Sequence, residues 1–484
     1  MIPWPMPCPS IPPPVGETVG DGLSRKDDTV CIVGIWHQGA VAAACLADAG
    51  CTVIGVDADP RTVRGLADGR APLFEPGLDE LLASGIASGR LTFTTDVATA
   101  VSGAATVMVM FDTPVDENDD VDLSGLMTMV RAMAPHLRAD SHVLVTAQVP
   151  VGTCDRLYEA IREINPAAPA GIAYSPENLR LGQAIELYRR PQLPVIGSDD
   201  PATLDHVESA LAALHTDWIR VGLRTAEMTK HALNAFLAMS VAFGNEIADI
   251  CDLVGADGQQ VSNALRREPR IGTKAMILPG LGFSGGTLAR DIRALQSAGA
   301  DLDHETALLD GIWRANETHN RVVIATLERQ LGSLSGRRVG VLGLTYKPGT
   351  STLRRSLSLE VSAAIAARGA TVIAFDPRVG AEESSAYPYI AVVGEPLAVA
   401  DGADAVVIMT AWPEFRDLDY AAMARRMKRP LLLDPSNFLD ATTMVALGFE
   451  YAGVGRGSTV AVTAAGSQAA AATPTVDGAH SGSQ

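Results

Sequence analysis

The stretch TVCIVGIWHQGAVAAACLADAGCTVIGVD, residues 29–57, decides how the chain is read. Thr29–Val33 is a short apolar, β-branched run, which marks a buried strand. Gly34 follows as a turn, and Ala40 to Ala49 carries a helical pattern that Gly50 ends. Thr52–Val56 makes a second strand that closes on Asp57. Strand, glycine turn, helix, strand and terminal acid compose a βαβ unit. Working outward, further apolar strands are expected at Ala105–Phe111, His142–Thr146 and Gly171–Tyr174, with helical spacers between them. A parallel, doubly wound sheet is the natural arrangement of such a run.

The same order returns near the C-terminus. Arg338–Leu342 reads as a strand, Gly343 as a turn, Leu357–Arg368 as a helix stopped by Gly369, and Thr371–Phe375 as a strand closing on Asp376. Two more strands are expected at Ala405–Thr410 and Pro430–Leu433. Between the halves, Thr225 to Val254 and His304 to Leu331 lack internal proline and could be long helices. The fold class is therefore α/β: two Rossmann-like, doubly wound parallel-sheet domains joined by a central helical segment. The expected limits are 29–215, 216–333 and 334–456, flanked by a disordered proline-rich extension over 1–28 and a disordered Ala/Ser/Gly/Thr-rich tail over 457–484.

Composition narrows the classes of partner. A chain of 484 residues calls for two or three domains, and its formal charge of −18 repels phosphate backbones, so nucleic acid is not expected as a partner. A nucleotide is still compatible with that charge, because backbone N–H groups at a helix N-terminus hold a phosphate locally. The six cysteines form no CxxC pair, which favours reduced thiols in the cytoplasm and no metal site. The absence of a run of about 18 apolar residues argues against a membrane span.

Gly34-Ile35-Trp36-His37-Gln38-Gly39 occupies the place of a GxGxxG dinucleotide turn. The first glycine permits the tight turn and the third permits close helix–strand packing, but Trp36 replaces the middle one. Asp57 adds weight, since a carboxylate there can accept both ribose hydroxyls of NAD and repels the 2′-phosphate of NADP. The other reading is a domain of this shape that has lost its cofactor, with Trp36 plugging the site.

Longer strings then carry a resemblance. Phe74-Glu75-Pro76-Gly77-Leu78, Thr113-Pro114 with Asp122-Leu123, Val149-Pro150-Val151-Gly152-Thr153 and Ser175-Pro176-Glu177-Asn178-Leu179 occur in order. Ala226-Glu227-Met228-Thr229-Lys230 through Asn234-Ala235-Phe236 follows, then the loop Pro279–Gly286 ending at Asp291, then Gly343–Pro348. Together they resemble the UDP-glucose/GDP-mannose dehydrogenase family from about Thr29 to Gly455. The resemblance implies NAD as cofactor, a nucleotide-sugar substrate, oxidation at the sugar C6 hydroxyl, and a homodimer paired through the central helices.

Residue by residue, it implies that Gly34, Trp36, Gly39, Asp57, Thr113, Pro114 and Gln148 line the cofactor. Lys230 and Asn234, four apart on one helix face, would hold the reacting oxygen and an ordered water. Asp291 would pass the proton through water, and Glu177 would serve the hydrolytic half. Leu179, Phe283, Gly285, Arg290 and Lys347 would contact the substrate.

Departures from the family pattern bear on the product. Thr287 stands where the family has its nucleophilic cysteine, and a threonine hydroxyl supplies no thiolate near neutral pH. Ala147-Gln148 replaces a Ser-Thr pair, Leu181 a second glutamate, Arg290 a lysine, and Ser436 the arginine of a DxRN motif. Three readings follow. The first is an NAD-dependent dehydrogenase that stops at the aldehyde or ketone. The second is a four-electron enzyme that reaches the uronic acid through the aldehyde hydrate, with Glu177 and Asp291 as bases. The third is a non-catalytic nucleotide-binding subunit.

Overall fold

The computed structural model describes residues 29–111, 113–114, 121–214, 217–284, 287–380 and 383–456. The extension expected over 1–28 and the tail expected over 457–484 lie outside the described residues. The first half forms an eight-stranded sheet. Its strands are β1 (Thr29–Val33), β2 (Thr52–Val56), β3 (Leu91–Thr94), β4 (Thr106–Val109), β5 (His142–Val145), β6 (Gly171–Tyr174), β7 (Val195–Gly197) and β8 (Ile219–Val221). Their spatial order is β3-β2-β1-β4-β5-β6-β7-β8. The order reverses between β1 and β4, so a crevice opens at the C-terminal ends of these two strands, the usual ligand position in an open α/β sheet.

β1 and β2 occupy the residues expected of them, because apolar β-branched runs bounded by glycine leave little choice of boundary. The strands read from the sequence pair in parallel as expected, and the sheet extends beyond them through β7, which pairs antiparallel with β6. β8 then runs parallel to β7 and carries the sheet past residue 215 to Val221. Strands of three residues carry almost no period, so tertiary pairing rather than local pattern makes them.

The second half forms a six-stranded, all-parallel sheet of β9 (Arg338–Leu342), β10 (Thr371–Phe375), β11 (Ile390–Val392), β12 (Ala405–Ile408), β13 (Leu431–Asp434) and β14 (Glu450–Gly453). Its order is β11-β10-β9-β12-β13-β14, which repeats the reversal of the first half. Each sheet has a separate apolar layer on either face, as doubly wound folds require: Ile32, Leu46 and Leu82 sit in one layer of the first half, Val33, Val109 and Leu157 in the other.

The long helix Leu223–Val254 joins the halves, close to the expected Thr225–Val254. The stretch from His304 to Leu331 is instead two helices, Ala307–His319 and Val322–Leu331. No proline is needed for the break, because the chain tightens to an Arg321 N–H bond on Thr318 O (3.2 Å) before the helix restarts. A further helix, Leu288–Ala300, packs on the long one. Among the described residues no helix is long and apolar enough to cross a membrane.

Candidate active site

The turn after β1 is built around contact rather than flexibility. Gly34 has φ +91°, and a Cβ there would come within 2.8 Å of Met110 O on the neighbouring strand's exit. A Cβ on Gly39 would overlap Gly34 O, so the third glycine lets the helix His37–Asp48 approach the turn. Trp36 is the residue just before that helix, with φ −66° and 47% of its surface exposed. That φ is one any residue adopts, and the side chain lies partly in solvent rather than in the core. Asp57 reaches back from β2: its Oδ2 accepts Ile35 N (3.2 Å) and its Oδ1 accepts Asp59 N (3.0 Å). Half-buried, it keeps part of its surface for a ligand.

The corresponding acid of the second half is spent. Asp376 is buried and accepts Leu344 N (2.7 Å), Thr345 N (3.0 Å), Arg378 N (2.8 Å) and the Trp412 indole N–H (3.1 Å). The two βαβ units share a topology but only the first leaves its carboxylate open to a ribose. Lys347 lies half-buried in the loop after β9, its ammonium 5.4 Å from the centre of the Tyr346 ring.

Around the first turn, buried side chains tie together segments far apart in sequence. His37 Nε2 meets Glu75 Oε2 at 3.1 Å, and Glu75 also accepts Gly182 N (2.9 Å) and Ala184 N (2.8 Å). Gln38 donates to Glu177 Oε2 at 2.7 Å, and Glu177 Oε1 accepts the Leu179 amide. The loop after β6 is thus tied to the dinucleotide turn by Glu75 and Glu177.

The long helix contributes Glu227, Lys230, His231 and Asn234, at spacings of three and four that define one face. Their exposures are 0%, 7%, 2% and 5%. Lys230 Nζ donates to Glu177 O (2.6 Å) and Asn178 Oδ1 (2.8 Å). Burial holds its pKa below the ordinary lysine range, against the pull of the Glu177 and Asp291 carboxylates. An ammonium has three donor directions, so one is left over for a third partner.

Asp291, in the first turn of Leu288–Ala300, is wholly buried between these segments. It accepts Gln148 Nε2 on both oxygens (2.6 and 2.7 Å), the Asn234 carboxamide on Oδ2, and faces His231 Nδ1 at 2.7 Å. Gln148 cannot be flipped, because its Oε1 receives Arg290, which only donates. Arg290 also reaches Thr113 O (3.3 Å), and Thr113 Oγ1 donates to Gln148 O (2.6 Å). Arg290, read for the substrate, is therefore engaged with Thr113 and Gln148, two of the residues read for the cofactor.

Sequence reading missed His231. The signal was present, since Glu-x-x-Lys-His-x-x-Asn places four polar residues along the buried stripe of a helix. The role of Glu75 was equally invisible, because its partners lie 38, 107 and 109 residues away in the chain.

Thr287 is exposed and directly precedes the helix that carries Asp291, while Gly285 lies outside the described residues. Phe283 is held by its backbone: its N–H donates to Asn316 Oδ1 (2.8 Å) and its carbonyl accepts Asn316 Nδ2 (3.0 Å). Asn245 does the same for Gly280 N (3.0 Å) and His319 for Gly280 O (2.7 Å), so the loop is rigidly presented. Leu179 is half-buried against the first sheet's core and Pro114 is exposed.

Among the described residues, folding brings the thiol of Cys154 to this region, its backbone N–H bound by Glu227. It is buried, and burial together with the Glu227 charge pushes the thiol well above its ordinary pKa. It is protonated and inaccessible, the opposite of a nucleophilic thiolate.

Comparison with known proteins agrees in every segment. The UDP-glucose/GDP-mannose dehydrogenase family matches as its NAD binding domain over residues 28–219, its central domain over 224–318 and its UDP binding domain over 340–441. A UDP-glucose 6-dehydrogenase of Rhizobium meliloti (strain 1021) is 37% identical over 437 residues, covering 88% of this chain and 99% of that protein. A UDP-glucose 6-dehydrogenase of Pseudomonas aeruginosa is 34% identical, covering 88% and 97%. The solved structure of a UDP-glucose dehydrogenase from the archaeon Pyrobaculum islandicum superimposes with a TM-score of 0.81 at 31% identity, covering 90% of this chain and all of that one.

Proposed function

The chain belongs to the UDP-glucose/GDP-mannose dehydrogenase family, and on that premise we propose that it oxidises a UDP-sugar hydroxyl to the aldehyde and stops there. It is an NAD-dependent oxidoreductase acting on CH–OH donors. The UDP moiety follows from the match to the UDP binding domain and from the relatives named above. The observation that carries the stopping point is Thr287, a hydroxyl where the family places its thiol; Cys154, the thiol beside Glu227, is buried and held protonated.

The residues present fit a dinucleotide: Gly34 and Gly39 close the turn, the helix His37–Asp48 offers its N-terminal amides, and Asp57 keeps open surface. When bound there, NAD⁺ supplies the hydride acceptor. Lys230 does the remaining work of the alcohol step. Two of its directions are fixed by Glu177 O and Asn178 Oδ1, so the third, in the neutral amine, accepts the hydroxyl proton as the C–H bond gives up its hydride. The resulting ammonium then donates to the new carbonyl oxygen. One hydroxymethyl group becomes one aldehyde, with one hydride and one proton removed.

Acid formation would need a water activated beside that aldehyde. Asp291 is unsuited to activating it, since its oxygens are already taken by Gln148, His231 and Asn234. With UDP-glucose as the probe, one NADH per sugar consumed is expected, with an aldehyde product trapped as its hydrazone. Two NADH per sugar, and a carboxylate by mass spectrometry, would overturn the reading.

The long helix also presents Phe236, Phe243, Ile250, Leu253 and Val254 to solvent, with 236, 243 and 250 seven apart on one face. This stripe is the surface proposed for the homodimer. Sedimentation of the wild type should give a dimer and Phe243→Asp a monomer, whereas a monomeric wild type contradicts the proposal.

A further inference from the structure

His231 stands beside Lys230 on the long helix, and its two ring nitrogens have partners of known character. Nε2 lies 2.9 Å from Val149 O, and a carbonyl only accepts, so Nε2 carries hydrogen. Nδ1 lies 2.7 Å from Asp291 Oδ1. Were Nδ1 bare and Asp291 ionised, two lone pairs would face each other at that distance. One proton must therefore sit between them. The pair is then net neutral, whichever partner holds it.

The other contacts of Asp291 say where the proton sits. Gln148 donates to both oxygens and Asn234 to Oδ2, an environment of donors that suits a carboxylate rather than a carboxylic acid. Arg290 fixes the orientation of Gln148 that makes this so. The charged form is thus an imidazolium on His231 against a carboxylate on Asp291.

We propose that His231 is a positioning residue that supplies Asp291 with a standing proton, so that the buried pair stays neutral and Lys230 faces no net negative charge from it. The inference rests on the alcohol oxidation proposed above, in which Lys230 takes the hydroxyl proton. An uncompensated Asp291 carboxylate beside Lys230 would favour the ammonium and withhold the neutral amine. His231 cancels that charge without touching the substrate. Asp291 in turn is left to hold Asn234 and Gln148 in place.

Other charges face the pair. Glu177 lies across from Lys230 on the loop after β6, Glu227 one turn back on the long helix, and Arg290 behind Gln148. Tyr174 on β6 and Cys154 on the helix Thr153–Ile164 complete the surroundings, both held protonated by burial.

Two measurements test this on the full chain. Nitrogen NMR of protein labelled at histidine, with the His231 signals assigned by their loss in His231→Gln, should show both ring nitrogens protonated across the pH range in which turnover is measured. A bare Nδ1 in that range overturns the proposal. This arm needs no turnover, so it stands even if the product reading fails. In the second, the rising limb of kcat against pH should move up by roughly one unit in His231→Gln, the direction an unmasked neighbouring carboxylate imposes on a lysine. A variant whose kcat falls while the limb stays put assigns His231 to packing alone, and the proposal is lost.

Discussion

Lys230→Met should lower turnover by roughly a hundred- to a thousand-fold or more while cofactor binding and the fold persist, the scale seen when one group on the reacting oxygen is removed. Methionine matches the length and apolar stem of the lysine but offers neither lone pair nor donor. The variant leaves Glu177 O and Asn178 Oδ1 without their partner, which costs stability. It also removes a buried cation, which returns some. The sign of that second effect follows from the lowered pKa of Lys230. Between the folded and unfolded values the unfolded chain binds more protons. Wild-type stability therefore rises with pH through this window, the penalty for burying the ammonium being full below it and gone above it. The methionine variant lacks that slope. Turnover should show the same lowered pKa as a rising limb in kcat, beginning below the ordinary lysine range. NADH formation and an NAD⁺ titration measured side by side check the first claim. Turnover within about threefold of wild type would remove Lys230 from the reacting centre.

Such a test is possible because Lys230 could be read from the sequence, and the contrast with His231 shows what limits such reading. Lys230 and Asn234 sit four apart in a string of recognisable residues, so helix periodicity alone puts them on one face. His231 sits on the same buried face, yet its meaning depends on Asp291 sixty residues on and on Val149 O eighty-two residues back. Periodicity says which side chains point inward; it does not say which distant groups they meet. Gln148 makes the same point. As a substitution it reads only as the loss of the threonine of a Ser-Thr pair. In the folded chain it joins Arg290 to Asp291, two residues that face it only after Leu288–Ala300 packs on the long helix.

The fold divides along the same line. β1, β2, β6, β9 and β10 were legible to the residue because each is an apolar run cut off by glycine or by a terminal acid. β7 and β8, three residues each, exist by pairing with neighbours and reverse the sheet's direction without any local mark. The helix Leu288–Ala300 was hidden by its own glycine-rich approach, which reads as loop. Asp57 and Asp376 look equivalent in sequence, both closing a second strand. Only the structure separates them, through the Trp412 indole and the backbone amides that occupy Asp376.

Glu227→Ala should cost roughly 2–5 kcal/mol of stability, more than a typical core substitution, because it strips two backbone amides, that of Cys154 buried and that of Gly152 partly so, of one charged acceptor. Glu227 is wholly buried and accepts Gly152 N at 2.6 Å and Cys154 N at 2.9 Å. Those amides open the helix Thr153–Ile164, whose preceding residue, Gly152, has φ +85° and no side chain with which to cap it. The long helix therefore supplies the cap that the local sequence lacks, and places a negative charge at the positive end of the helix dipole. Gly152 cannot acquire a capping side chain of its own without strain at that φ. The loss should spread to catalysis, since the turn that Glu227 anchors also carries Gln148 and the Val149 carbonyl that holds His231. Asp155→Ala is the control: its salt bridge to the exposed Arg224 lies at the surface, where solvent screens it, and its loss should shift the midpoint far less. Denaturant midpoints for the two variants give the comparison. Equal midpoints would mean that the helix finds another cap, and that the turn beneath the reacting centre is not held from the long helix at all.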